Sequence, residues 1–212
     1  MSAAASNITS GISPGMSLTA LRECSYLMKN PIATIEMSSG NKIVIELFPE
    51  NAPNTVNSFI WAARNGYYNN QDIIRVVPGF VVQSSYRNFD NPALNYLIEG
   101  EFTSNGFEKG LNNVPGCVAM GGDGKKYASC CGFYFTLEYH ARLDGNYPVF
   151  GKVIEGWEEV RRIEKVETVP VDIGKPGVEV NKPLNPETMV KVTVETYGIE
   201  YPDPVLIPNN LE

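Results

Sequence analysis

The sequence predicts a mainly β fold, a closed antiparallel barrel of short strands with helices covering its ends. Three observations predict it. Short apolar segments recur between residues 32 and 197, bounded by Gly, Asn, Ser and Pro. Two stretches have helical spacing but do not alternate with the strands as βαβ units do. Apolar residues make up 43% of 212, enough for one sizeable core and too short a chain for a second domain.

Residues 1–30 read as an N-terminal extension, loose to about residue 17 and then weakly helical or extended, with Leu18, Leu21 and Met28 as its pattern. The domain spans residues 31–197. It opens with strands at 32–37 and 42–48 joined by the turn Ser38-Ser39-Gly40-Asn41, and Ile43, Ile45 and Leu47 mark one face of the second strand. A helix follows at 53–65, because Pro53 suits a first turn, Val56, Phe59, Ile60 and Ala63 share a face, and Gly66 offers a stop. Two apolar strands then flank Pro78-Gly79, a turn pair in which proline presets φ and glycine tolerates positive φ.

Residues 84–115 read as a loop-rich excursion with one strand near 97–102. Strands are expected at 116–121, 132–137 and 148–154, then a helix at 156–165 with Trp157, Val160 and Ile163 turned inward. A connection at 170–186 leads to a strand at 188–197, with Val190, Val192 and Val194 alternating. Residues 198–212, holding Pro202, Pro204 and Pro208, form an extended C-terminal tail. Its Tyr201-Pro202-Asp203-Pro204 could thread into a pocket of its own or a neighbouring chain.

With 24 acidic and 17 basic side chains the net charge is −7, which argues against nucleic acid and anionic membrane surfaces as partners. No apolar run is long enough to span a membrane, and residues 1–17 lack the features of a signal peptide, so the expected location is cytoplasmic. Cys24, Cys117, Cys130 and Cys131 have no metal-site spacing and read as free thiols; with one histidine, no metal and no cofactor are expected. The segment Gly122-Asp123-Gly124-Lys125-Lys126 fails the phosphate-loop spacing and reads as a flexible rim loop.

Arg75 and Gln83 stand out because their neighbours at 73–82 are almost all apolar. A half-buried arginine must find acceptors, since an unpaired buried charge costs several kcal/mol. Two readings are open: Arg75 pairs with a carboxylate and is structural, or its donors face a site. By themselves Phe80 and Tyr134 read as barrel core, Gln83 as a solvated strand residue and His140 as an exposed loop residue. Glu158-Glu159 and Arg161-Arg162 read as a solvated helix face.

Three stretches carry a resemblance that decides between these readings. They are Asn51-Ala52-Pro53-Asn54-Thr55-Val56-Asn57-Ser58-Phe59 with Gly66-Tyr67-Tyr68, then residues 75–83, then Leu143-Asp144-Gly145 with residues 149–156. Together they resemble the cyclophilin family of peptidyl-prolyl isomerases over about residues 32–197. The resemblance implies a closed eight-stranded antiparallel β-barrel capped by two α-helices, acting without cofactor on proline-containing peptides and flexible or unfolded protein segments. It implies Arg75 as the catalytic arginine and Gln83 as its polar neighbour. It implies further that Phe80, Val81, Tyr134 and Leu143 line a proline pocket, that Gly121 and Gly122 offer backbone groups to the peptide, and that Arg142 and Tyr147 sit at the mouth.

The sequence departs from the family pattern at several places. Ile74 stands where a histidine usually precedes the arginine, and Ser84-Ser85-Tyr86 replaces Gly-Gly-Asp. Gly122 and Gly132 replace an asparagine and a glutamine, Arg142 a tryptophan and Tyr147 a histidine. These changes bear on peptide affinity and cyclosporin binding, and leave the arginine and most of the apolar pocket in place. The implied activity is therefore X–Pro isomerisation; the alternative is a proline-peptide binding module without turnover.

Overall fold

The computed structural model describes residues 29–85, 91–173 and 177–208. The expectations for Cys24 and for a helix near residues 17–29 fall almost wholly outside them. Strands β1 (Ile32–Met37) and β2 (Lys42–Leu47) form the expected hairpin, with Ile43, Ile45 and Leu47 fully buried. Helix α1 (Pro53–Arg64) buries Val56, Phe59, Ile60 and Ala63. Its Phe59 ring meets Tyr68, Phe133 and Phe150 at 5.1–5.6 Å between centroids, which makes the aromatic centre of the core. The start of α1 has no side-chain cap of its own; the buried Glu101 carboxylate accepts Asn54 N at 2.9 Å and Thr55 N at 2.7 Å. That satisfies donors left over at a helix start and sets negative charge at the positive end of the dipole.

Strands β3 (Gln71–Asp72), β4 (Arg75–Val77), β5 (Val81–Gln83), β6 (Tyr96–Glu99), β7 (Cys117–Gly122), β8 (Tyr127–Thr136) and β9 (Val149–Glu155) follow, then α2 (Trp157–Ile163). The chain ends in β10 (Thr168–Pro170), β11 (Asn181–Pro183), β12 (Thr188–Glu195) and β13 (Ile207–Pro208). The fold is mainly β with two α-helices among the described residues, but the expected closed eight-stranded barrel is not what forms. The main sheet has eleven strands along the path β13-β6-β8-β7-β9-β2-β1-β12-β3, with β4–β5 joined to β8, and it remains an open half-barrel. The break has a local cause. The two-residue β3 pairs with β12, the chain leaves that ladder at Ile73–Ile74, and β4 takes β5 as its partner instead.

Two other expectations change. In β12 the register slips opposite Glu36/Met37, so Met189 and Val192 are buried while Val190 is 44% exposed. A bulge reverses which alternate residues face inward. The charges of α2 are a solvated face only in part: Glu158 is exposed, but Glu159 is buried and accepts from Arg162, whose guanidinium also donates to Glu187 just before β12. Ser39 and Asn41 of the first hairpin donate to the same Glu159 carboxylate at 2.6 and 2.8 Å.

The connection before β12 folds as the separate β10–β11 hairpin, packed beside β4. Residues 198–208 cross α1: Asp203 pairs with Arg64 at 2.8 Å, and Asn54 exchanges two hydrogen bonds with the Val205 backbone. The Tyr201–Pro204 stretch thus lies against α1 and not in the Arg75 region of its own chain. Cys117, Cys130 and Cys131 are buried and form no disulfide among the described residues. Among the described residues no helix is long and apolar enough to cross a membrane.

Candidate active site

The β4–β5 hairpin places Arg75 directly opposite Gln83. Its turn needs glycine, since Gly79 has φ of +70°. The turn is held from two sides, by the Glu164 carboxylate accepting Gly79 N at 2.8 Å and by His140 Nε2 at 2.9 Å from Gly79 O. Across the hairpin Arg75 donates from Nη1 to Gln83 Oε1 at 3.1 Å, and Gln83 Nε2 donates to Ser85 O at 2.8 Å. Arg75 Nε donates to the Glu179 carbonyl of the neighbouring segment at 2.8 Å. The guanidinium is therefore aimed by a relay on one side and by the β10–β11 segment on the other.

Beside it lies an apolar cluster distinct from the main core. Val81, Cys117, Ala119, Tyr134, Leu143 and Val149 form it, with Phe80 and Tyr147 packed against it half-exposed. The Phe80 ring stands 5.4 Å from Arg75 Cζ and 4.3 Å from Arg142 Cζ, and His140 meets its edge at 4.9 Å. Tyr134 meets Tyr147 edge-on at 6.0 Å and donates its hydroxyl to the fully buried Asn113 at 2.8 Å. Burial, with Tyr147 alongside, holds the Tyr134 phenol well above its usual pKa, so it stays a neutral donor. Asn113 also donates to Leu143 O at 3.2 Å and, through its backbone, to Asp144 at 2.7 Å, which ties two walls of the cluster together.

The structure thus gathers Arg75, Gln83, Phe80, Val81, Tyr134, Leu143, Arg142 and Tyr147. Gly121 adjoins Gln83; a side chain there would come 2.9 Å from Gly132 O and 3.5 Å from Gln83 Nε2. Gly122 faces the backbone of Tyr127 and Ala128 at the irregular end of β7, where a Cβ would overlap Tyr127 O. The following loop is held by Asp123 Oδ1, which accepts three backbone N–H bonds at 2.9 Å. Those bonds keep the Asp123 carboxyl below its usual range although burial pushes it up. A cavity of about 500 Å³ opens elsewhere, between α1, β12 and the tail, and is lined by none of the expected site residues. Among the described residues no group of three His, Cys, Asp or Glu could hold a metal.

Sequence reasoning missed Asn113, Glu164, Glu179 and the half-buried His140. No local pattern marks them, since each acts on a partner at least 20 positions away.

Residues 32–194 match the family model for cyclophilin-type peptidyl-prolyl cis-trans isomerases. The chain belongs to that family. Peptidyl-prolyl cis-trans isomerase A of Dickeya dadantii is 30% identical over 160 residues, covering 72% of this chain and 81% of that protein. A mouse peptidylprolyl isomerase domain and WD repeat-containing protein is 29% identical over 163 residues, covering 77% of this chain but only 24% of the relative. The chain thus spans about a quarter of the length of that relative. Among solved structures, a cyclophilin of Cryptosporidium parvum determined in the presence of the dipeptide Ala-Pro has a TM-score of 0.63 at 20% identity, over 77% of this chain and 98% of its own. That similarity concerns the cyclophilin fold. The half-barrel with its paired Arg75 and Gln83 is this chain's version of it.

Proposed function

We propose that this cyclophilin accelerates rotation about X–Pro bonds in proline-containing peptides and flexible protein segments, with Arg75 as the catalytic group. The observation that carries the reading is the Arg75 guanidinium, braced by Gln83 at 3.1 Å and standing beside Phe80 at the edge of a separate apolar cluster.

The chemistry needs little else. An amide resists rotation by about 18–20 kcal/mol because its nitrogen lone pair is conjugated. In the twisted transition state the proline nitrogen becomes pyramidal and regains that lone pair. A cation aimed at the nitrogen stabilises the twisted state and leaves the planar ground state alone, which is the condition for rate acceleration. Arginine suits the task because it stays charged and its fork holds an orienting acceptor while other donors act. Phe80, Val81, Tyr134 and Leu143 give the pyrrolidine ring an apolar seat that excludes water, while the chain on one side turns. Gln83 does not touch the reacting atoms in this scheme; it positions Arg75.

The test sets isomerisation of X–Pro peptides, followed by NMR exchange, beside direct binding of the same peptides. Faster exchange at catalytic protein concentration supports the proposal. Binding without faster exchange replaces it with the non-catalytic proline-peptide module.

A further inference from the structure

We propose that Arg142 makes this site selective for prolines that have an anionic side chain, carboxylate or phosphate, within two residues along the peptide. The proposal rests on the reading of the site as an X–Pro pocket.

Arg142 is exposed and sits on the 3-10 turn Ala141–Leu143, whose next side chain, Leu143, is buried in the apolar cluster. The turn is fixed: Leu143 N donates to His140 O at 2.9 Å, and Arg142 O accepts Asn146 Nδ2 at 3.2 Å. The Arg142 guanidinium lies 4.3 Å from the Phe80 ring centre, the same ring that Arg75 approaches at 5.4 Å. Two cations therefore converge on one aromatic ring beside the apolar cluster in a protein of net charge −7.

Among the described residues none of the nearby carboxylates pairs with Arg142. Asp144 takes Asn113 N and the Tyr139 hydroxyl, and Glu164 takes Gly79 N. Glu138 borders Gly79. A guanidinium resting on an aromatic face is partly desolvated and preoriented, and its fork matches the two oxygens of a carboxylate or phosphate. Neighbouring Cα atoms of a peptide lie about 3.8 Å apart, so a side chain one or two residues from a proline seated against Phe80 spans the distance to Arg142.

The experiment uses proline peptides with Glu, phosphoserine or Gln at each of the two positions before and after the proline. They are assayed for exchange rate and for Kd against the wild type, Arg142→Gln and Arg142→Glu. At one flanking position the anionic peptides should exceed the Gln peptide about two- to fivefold, as one exposed charge-assisted contact provides. Glu and phosphoserine arms tell carboxylate from phosphate recognition. The preference should vanish in Arg142→Gln, reverse in Arg142→Glu and shrink in 0.5 M salt, added to screen exposed charges. Ratios near one at every position in the wild type, or a preference that survives Arg142→Gln, would overturn the proposal. If no peptide isomerises faster yet the Kd preference is present and Arg142-dependent, the isomerase reading fails while anion selectivity stands.

Discussion

Replacing Gln83 with leucine tests whether aiming Arg75 matters, separately from its presence. Leucine keeps most of the side-chain bulk at a position that is 6% exposed, and removes both the acceptor for Arg75 at 3.1 Å and the donor to Ser85 O at 2.8 Å. A hydrogen bond to a charged group contributes about 1.5–3 kcal/mol. The Glu179 carbonyl still holds Arg75 Nε, so part of the aim survives. The loss of transition-state stabilisation should then be roughly 1–2 kcal/mol, a fall of about 5- to 30-fold in kcat/KM. It should appear in kcat, because the ground-state peptide gains little from the cation. NMR exchange across a range of peptide concentrations separates kcat from KM, and circular dichroism checks the fold. Wild-type kcat, or a change confined to KM, would mean that Gln83 does not aim Arg75 at the reacting nitrogen.

Further outcomes follow from the surrounding structure. Asn113→Ala removes the buried acceptor of Tyr134 and the donor to Leu143 O, and should destabilise by about 1–3 kcal/mol while raising KM, measured by denaturation and peptide titration. Arg162 pulls the Glu159 carboxyl down to about 2, helped by Ser39 and Asn41 against the effect of burial. A carboxyl whose folded pKa lies below its unfolded value of about 4.3 contributes stability above that value and loses it as pH falls toward 2. Wild type should therefore lose about 1–2 kcal/mol more than Glu159→Gln between pH 6 and 2.5, after allowance for solvent at the 40% exposed Arg162; parallel curves would contradict this. Deleting residues 198–212 removes the Asn54–Val205 bonds and should lower Tm without raising isomerase activity; higher activity would place the tail in a pocket after all.

Elements built from local pattern were legible in the sequence. The β1–β2 hairpin, α1 and the Pro78-Gly79 turn follow from periodicity and turn chemistry within a few residues. Barrel closure was not, because it depends on which partner Ile73–Ile74 leaves and which β4 joins. Glu101 capping α1 from 46 positions away, and Glu187 completing the Arg162 pair from 25, are long-range satisfactions of buried polar groups with no local signature. At the site, Arg75 and Gln83 stood out by their contrast with apolar neighbours, and Phe80, Val81, Tyr134 and Leu143 came from the family resemblance; Cys117, Ala119 and Val149, which complete the cluster, had no such mark. Asn113 and His140 had none either, since a turn-forming asparagine and a loop histidine look alike whether they face solvent or a buried partner.

Whether the Arg75 cation accelerates the X–Pro turn is decided by X–Pro exchange rates for Arg75→Ala beside wild type. Removing a charge-assisted contact of about 1.5–3 kcal/mol should lower kcat/KM at least tenfold, with the amide spectrum outside the β4–β5 hairpin unchanged. A folded Arg75→Ala protein that turns over X–Pro peptides at the wild-type rate would show that the cation is not the catalytic group.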